Sequence, residues 1–508
     1  MKIIYFVYNI SLFSTLINGA DILVIFPTTA QSHYRIVRPL IRGLLDRGHN
    51  VLSITNFPEK NDRSNLTHIN ISGLKSHTKF GAKKVSIASL MVRMINTASS
   101  YKKILDFQPV ANLLKSGRKF DLVIAEMFTT TPIFAPIASV VDAPIIGINP
   151  MVTLPWADQI FGVPNIVSYM PNIAMNMTDM MSFYERNINM GFNIIYHGLL
   201  NWLYAPNVQK INEQFYGINT PTLLNAMANI SLILVNSHHS IYTAQPRAPG
   251  IVEIGGIHVL DAKPIPQDLK DYIETSEFGV IIFSLGSIVS ADSITREKLN
   301  CLFFVFSKLK QKVIMKFDSK INVTIPSNVK IIKWFPQRDL LAHPKVLLFI
   351  THGGLMSIIE TIHCGKPVVG IPMFGDQPIN IRFLEQKKVA VYVEYEDLNI
   401  EYFYGAIKTA LSDNFRKNMK KLQLQYFDRP QTPLETAIYW AEYVIRNRGV
   451  SPNLLKTNQH NLCWTKTYLL DVVASLIFFI TLTCYVTFYV LNKIIINMRQ
   501  WFEDSSNK

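Results

Sequence analysis

Short runs of consecutive apolar residues alternate along this chain with longer segments of helical spacing. Ile22 to Phe26 is apolar throughout, which suits a strand buried on both faces; a loop is expected from there to His33. Ile36, Val37, Leu40, Ile41, Leu44 and Leu45 then recur every three to four residues, and Gly48 closes that helix before a second run, Val51 to Thr55. The start therefore reads as a strand-helix-strand unit. Leu122 to Ala125 and Pro144 to Ile148 extend the series as parallel strands, and from about Ala157 to Tyr204 the pattern changes to helices rich in Met and aromatic residues. A proline-rich connection, Pro246 to Pro266, leads to a second alternation through Val280 to Leu285, Val313 to Lys316, Val329 to Lys333, Val346 to Ile350 and Pro367 to Ile371. Two doubly wound α/β domains facing a cleft are expected, over 21–245 and 269–450 with a linker at 246–268.

One later helix has a well-specified start. Thr432-Pro433-Leu434-Glu435 is a capping box with proline at the first helical position, followed by the apolar stripe Ala437, Ile438, Trp440, Ala441, Val444 and Ile445. It is expected to cross the body over about 432–448.

The two ends differ from everything between them. Lys2, an apolar run from Ile3 to about Ile17 and Asn18-Gly19-Ala20 read as a secretory signal peptide with cleavage after Ala20. Val472 to Leu491 is uncharged and apolar over the ~20 residues that a helix needs to cross a bilayer. A juxtamembrane segment, 451–471, precedes it and a tail, 492–508, follows. Lysine flanks are nearly balanced, so orientation rests on the signal peptide, which puts the bulk of the chain in a lumen and the tail in the cytoplasm. Five sequons agree, at Asn65, Asn70, Asn176, Asn229 and Asn322.

Composition narrows the partners. A formal charge of +14 suits an anionic ligand or an acidic lipid surface. The basic residues are scattered, without a block interleaved with aromatics, so nucleic acid is not expected. Four cysteines, with Cys484 in the membrane segment and Cys301, Cys364 and Cys463 far apart, make no disulfide framework. No His, Cys or carboxylate spacing suggests a metal.

The stretch Thr351 to Glu360, THGGLMSIIE, follows the strand KVLLFI and opens a helix. Ligands of open parallel sheets sit beyond the carboxyl ends of strands, where the next helix offers free N–H groups and a positive dipole end. Gly353 and Gly354 let the backbone approach an anion, Ser357 adds a hydroxyl, and Glu360, one turn on, suits vicinal ribose hydroxyls. Taken alone, such a junction more often serves tight packing. Its neighbours change the balance: Trp334-Phe335-Pro336-Gln337 offers an aromatic plane and an amide for a base, and Gly375-Asp376-Gln377 a carboxylate and an amide for sugar hydroxyls.

Together these residues form WFPQRDLLAHPKVLLFITHGGLMSIIETIHCGKPVVGIPMFGDQ, which resembles the signature of the family 1 UDP-glycosyltransferases. The resemblance extends over nearly the whole chain, including the signal peptide, SLGS, the helix ending YVIRNRG and the single C-terminal span, and its layout is most like the insect microsomal members. It implies a GT-B fold with an N-terminal acceptor-binding domain and a C-terminal donor domain. Trp334 would then stack on uracil, Gln337 contact base or ribose, and Glu360 hold the ribose. Ser287 with His352, Gly354 and Ser357 would hold the diphosphate, and Asp376 with Gln377 the sugar. The UDP-sugar is a co-substrate; no cofactor and no metal is implied.

The implied chemistry is one displacement with inversion, which needs a base for the acceptor proton. A lone loop histidine is more often structural than catalytic, but the family places its base at His33, and a near-neutral imidazole suits the role. Members generally orient it with an aspartate at the end of FDxxxxD. Here FDLVIAE offers Glu126 instead, and Asp121, the second choice, is expected to be structural.

The acceptor is less determined. Met170, Met175, Met177, Met180, Met181 and Met190 with Phe183 and Tyr184 suit an adaptable apolar pocket, a membrane contact or ordinary core. The resemblance implies small lipophilic acceptors, and Gln377 with the insect-like layout favours glucose as donor sugar. A detoxifying or hormone-conjugating hexosyltransferase in the endoplasmic reticulum membrane, single-pass type I with lumenal catalytic domains, is the expected whole, although the tail carries no KKxx-type signal. Homo-oligomerisation stays open. Two rivals remain: a membrane-anchored UDP-sugar-binding protein without turnover, and a transferase acting on lipid or protein.

Overall fold

The computed structural model describes residues 19–506, apart from 61–62, 75–86, 129–130, 174, 287–293, 320–322 and 449–451. Residues 1–18 of the expected signal peptide, Ser287 and Asn322 of the last sequon fall outside the described residues.

Two fully parallel sheets organise the chain up to Lys456. The first is β3-β2-β1-β4-β5-β6-β7 in spatial order, built from β1 (Asp21–Phe26), β2 (Asn50–Thr55), β3 (Leu66–Asn70), β4 (Leu122–Glu126), β5 (Ile145–Asn149), β6 (Leu232–Val235) and β7 (Ile251–Glu253). The second is β10-β9-β8-β11-β12-β13, from β8 (Val280–Ser284), β9 (Lys312–Lys316), β10 (Val329–Ile332), β11 (Val346–Thr351), β12 (Val368–Gly370) and β13 (Ala390–Tyr392). Both are doubly wound, and each reverses winding direction beside its first strand: between β1 and β4, and between β8 and β11. Their central strands are buried at nearly every position, which is why they read as unbroken apolar runs rather than as alternation.

The expected linker is not all linker. Ile251–Glu253 pairs with β6 as the edge strand of the first sheet, so that sheet extends beyond residue 245. The stretch 162–182 is largely irregular rather than helical, and the next helix, Phe183–Gly198, begins at a capping box of Ser182 and Glu185. The Pro433–Arg446 helix starts at the expected Thr432/Glu435 box and buries Ala437, Ile438, Ala441 and Val444 in a core shared with Ile36, Val37 and Leu40 of the first helix, Gln31–Asp46. The chain thus returns from the second domain to close the first.

Another core joins the two domains directly. Met127, Trp156 and Tyr242 share a buried cluster with Ile358, Ile379 and Phe383, and the Tyr242 hydroxyl donates to Asn380 Oδ1.

Thr457–Lys508 forms a separate unit. Its main element is one helix, Leu470–Ser506, 37 residues long, with an apolar window of mean hydropathy 2.0. At 1.5 Å per residue it is about 55 Å long, more than the ~30 Å hydrocarbon core. The expected span at 472–491 lies inside it, and residues 492–506, expected as a tail, continue the same helix. The four cysteines are free.

Candidate active site

The carboxyl ends of the strands at the two winding reversals face one another, and between them lies a cavity of ≈ 340 Å³. Its lining includes His33 from the first domain and Trp334, Gln337, His352, Gly354, Ser357, Glu360, Asp376 and Gln377 from the second. Glu126 stands behind His33.

His33 lies in the first turn of the Gln31–Asp46 helix rather than in the loop expected from sequence. The helix follows β1 so closely because Ala30 already accepts from the N–H groups of His33 and Tyr34. His33 Nδ1 is 3.0 Å from Glu126 Oε1, and Phe128 meets the ring edge-on with centroids 5.0 Å apart. Glu126 closes β4 and is buried. Asp121 is at the opposite end of that strand, where its Oδ2 accepts from the Asp21 N–H at 2.8 Å; it ties β1 to β4 away from the cleft.

The turn after β11 is shaped around the His352 ring. Gly353 has φ of +86°, which L side chains rarely adopt, and a Cβ on Gly354 or Gly286 would approach within 2.7 Å of the imidazole. Burial, assisted by the charge of Lys316, pushes the His352 pKa down to about 4, so the ring is neutral at physiological pH. The Thr351 hydroxyl oxygen lies 3.3 Å from Nδ1, within hydrogen-bond reach.

One residue ties the next two together. Gln337 Nε2 donates to Ser357 Oγ at 3.0 Å and to Glu360 Oε2 at 2.7 Å, so Gln337, Ser357 and Glu360 form one polar cluster at the start of the Leu355–Cys364 helix. Burial raises the Glu360 carboxyl above its usual value, offset by Gln337, Arg35 and Arg338.

At the third strand end, Asp376 Oδ2 accepts from Asn380 Nδ2 at 2.7 Å. Burial raises its carboxyl, offset by Asn380 and by His33 from across the cleft. Gln377 departs from expectation. Its side-chain oxygen accepts from the N–H groups of Met373 and Phe374, at 2.8 and 3.1 Å, and is spent on holding that loop; only its NH₂ group remains for a ligand.

Three residues were missed in the sequence. Lys316, at the end of β9, donates to the Gly286 carbonyl at 2.7 Å and places its ammonium 4.5 Å from the centre of the Trp334 ring, which is 56% exposed. Burial holds that ammonium below the usual lysine value. Asn380 could have been found from its spacing, four residues after Asp376 at a helix start. Arg35 lines the same cavity from the first domain, with Nη1 3.9 Å from Glu360 Oε1.

The methionine-rich region does not form one pocket. Met170 and Met181 are buried, whereas Met180, Met190, Phe183 and Tyr184 are exposed. None of them lines the cavity between the strand ends. Among the sequons, Asn70, Asn176 and Asn229 are exposed, while the Asn65 amide donates to the Leu45 and His49 carbonyls.

Residues 20–507 match the family model described as UDP-glucoronosyl and UDP-glucosyl transferase. The chain is 34% identical over 514 residues to a protein named UDP-glucosyltransferase 2 of Dactylopius coccus, covering 98% of each. It is 30% identical to UDP-glucuronosyltransferase 2B1 of Rattus norvegicus over 479 residues, covering 88% of this chain and 89% of that one. Among solved structures, the calicheamicin glycosyltransferase CalG4 superposes with a TM-score of 0.57 at 16% identity, over 85% of this chain and 100% of that one. The fold is GT-B.

Proposed function

Because the chain belongs to the UDP-glucuronosyl and UDP-glucosyl transferase family and so moves a sugar from a UDP-sugar donor, we propose that it transfers glucose, with inversion, to a hydroxyl of a small lipophilic acceptor. His33 is the general base. The observation that carries this reading is the His33–Glu126 pair at 3.0 Å, opening onto the same cavity as every described donor residue.

Glu126 accepts from the Nδ1 proton, which leaves Nε2 unprotonated and able to take the acceptor proton. The developing imidazolium is then balanced by the buried carboxylate behind it. Across the cleft, Trp334 stacks on the uracil, Gln337 and Glu360 take the ribose, and Asp376 with the Gln377 NH₂ group orients the sugar. Departing UDP gains negative charge as the bond to the anomeric carbon breaks. The His352 N–H, the N-terminus of the Leu355–Cys364 helix and the Lys316 ammonium are the donors available to stabilise it. No metal enters this reading, and Ser287 belongs to the same diphosphate set.

We further propose that the enzyme resides in the endoplasmic reticulum membrane, anchored by the Leu470–Ser506 helix, type I, with both domains lumenal and conjugation of foreign compounds or hormones as its role. The deciding experiment is turnover of UDP-glucose, UDP-glucuronic acid and UDP-galactose by microsomes carrying this chain, against mixed phenols and steroids, with His33→Ala as control. Glucoside formation lost in the variant supports donor and base together. Undiminished rates in His33→Ala overturn the mechanism, and binding of UDP-glucose with no product from any acceptor favours a binding protein.

A further inference from the structure

Glu360 is a buried carboxylate whose charge is supported from both domains. Gln337 Nε2 takes Oε2 at 2.7 Å, and the guanidinium of Arg35, from the helix that carries His33, stands 3.9 Å from Oε1. The Glu360 side chain is 6% exposed and that of Arg35 48% exposed, so a solvated cation from one domain reaches a desolvated anion of the other. Arg35 has no second carboxylate partner among the described residues.

We propose that Arg35 is a donor-positioning residue: it bridges the cleft to Glu360, keeps that carboxylate ionised and aimed at the ribose, and so couples donor binding to the register of the base-bearing helix. The inference rests on the reading of Glu360 as the ribose contact. His33 and Arg35 are two residues apart on one helix, so a ribose held through the Arg35–Glu360 contact also fixes the distance from base to sugar.

Several other groups face Glu360. Arg338 and Asp339 come from the helix Gln337–Ala342 and Cys364 from its own helix, while His258, near Arg35, has its ring Nε2 3.2 Å from the Met356 carbonyl. Burial holds His258 neutral, with a pKa lowered to about 3, and Arg338 acts on the carboxylate from the same domain. Arg35 is therefore the cation whose support depends on the two domains standing together.

The test uses the full-length chain in microsomes or detergent, with Arg35→Ala, Arg35→Lys, Glu360→Gln and the double variant Arg35→Ala/Glu360→Gln. The readouts are the Kd of UDP and the kcat and KM for UDP-glucose between pH 6 and pH 8. Arg35→Ala is expected to raise the Kd of UDP and the donor KM about three- to tenfold, the range of one half-exposed charged contact, and to change kcat less. The loss should be larger at pH 6, because removing a cation raises the Glu360 pKa and the carboxylate protonates sooner as pH falls. Arg35→Lys should recover most of the affinity, and Arg35→Ala should add nothing in the Glu360→Gln background. An unchanged UDP Kd in Arg35→Ala with a weakened Glu360→Gln overturns the role of Arg35 and leaves the ribose reading standing. Independent, additive losses do the same. Unchanged UDP affinity in Glu360→Gln overturns the ribose reading, and this proposal with it.

Discussion

His33 Nδ1 and Glu126 Oε1 lie 3.0 Å apart, joining the first turn of one helix to the last residue of the neighbouring strand. The separation is set by the length of the glutamate. Aspartate at 126 is shorter by one bond, about 1.5 Å, which takes the contact beyond hydrogen-bond range. Glu126→Asp is therefore expected to lower kcat by about tenfold, a fraction of the roughly hundredfold or greater loss of His33→Ala, with UDP affinity unchanged in both. Steady-state kinetics with calorimetry of UDP binding measures each quantity separately. An Asp variant as fast as the parent would mean that Glu126 does not set the orientation of the base.

A second prediction concerns the wall around His352. Gly354 has φ of −60°, which alanine adopts without strain, so its substitution acts through space alone. The new Cβ would lie 2.7 Å from His352 Nε2, and the buried ring must shift to make room for it. Overpacking of this kind costs about 1–3 kcal/mol, or roughly fivefold to 150-fold in donor affinity if the whole effect falls on the bound state. Gly354→Ala should weaken UDP binding on that scale, read by calorimetry. Equal affinities would show that the ring has room to move.

The strand ends were legible because buried parallel strands are written as unbroken apolar runs, and the residues following them carry the polar chemistry. Trp334, Gln337, His352, Ser357, Glu360 and Asp376 all sit where such a reading puts them, around one cavity. What stayed hidden depends on contacts between distant segments. Ile251–Glu253 is three residues long in a proline-rich stretch, and only its pairing with β6 makes it a strand. The partners of Lys316, a ring eighteen residues later in the chain and a carbonyl thirty residues earlier, leave no periodic trace. Arg35 reads as the solvated face of an amphipathic helix until the second domain stands opposite. The Gln377 oxygen looked available because its acceptance from two backbone N–H groups is a property of the loop.

Under the proposed function, Trp334 offers a way to separate contacts to the base from contacts to the sugar. Its ring is 56% exposed, with an ammonium 4.5 Å from its centre, so a stacked uracil would meet both the π face and a nearby cation. Base stacking on an aromatic is worth about 1–3 kcal/mol. Trp334→Ala should weaken UDP, UDP-glucose and UDP-glucuronic acid by the same factor, about tenfold, because the proposed stack is with the uracil that all three share. Competitive displacement with the three ligands tests this, and a loss confined to one sugar would assign Trp334 to the hexose instead.

Asp158 offers a stability test independent of catalysis. It is buried in the helix Pro155–Phe161 beside a small cavity of ≈ 40 Å³ that also meets Arg247, and burial raises its carboxyl from 3.8 to about 7. Arg247 opposes that rise only partly, since its Nη1 is bound to Glu253 Oε1 at 2.7 Å. The folded state thus holds this proton where the unfolded chain has released it. Between about pH 4 and pH 7 the native form binds more protons, so stability is greatest below the unfolded pKa and declines as pH rises through the folded one. A carboxyl raised from 3.8 to about 7 costs up to about 4 kcal/mol of stability by pH 8. Asparagine keeps the volume and removes the charge. Asp158→Asn should exceed the parent melting temperature modestly at pH 5 and by more at pH 8, and flatten the profile between; thermal unfolding of both proteins at pH 5, 6, 7 and 8 measures the difference. Parallel profiles would mean that Asp158 is ionised in the folded protein and that Arg247 supports its charge after all.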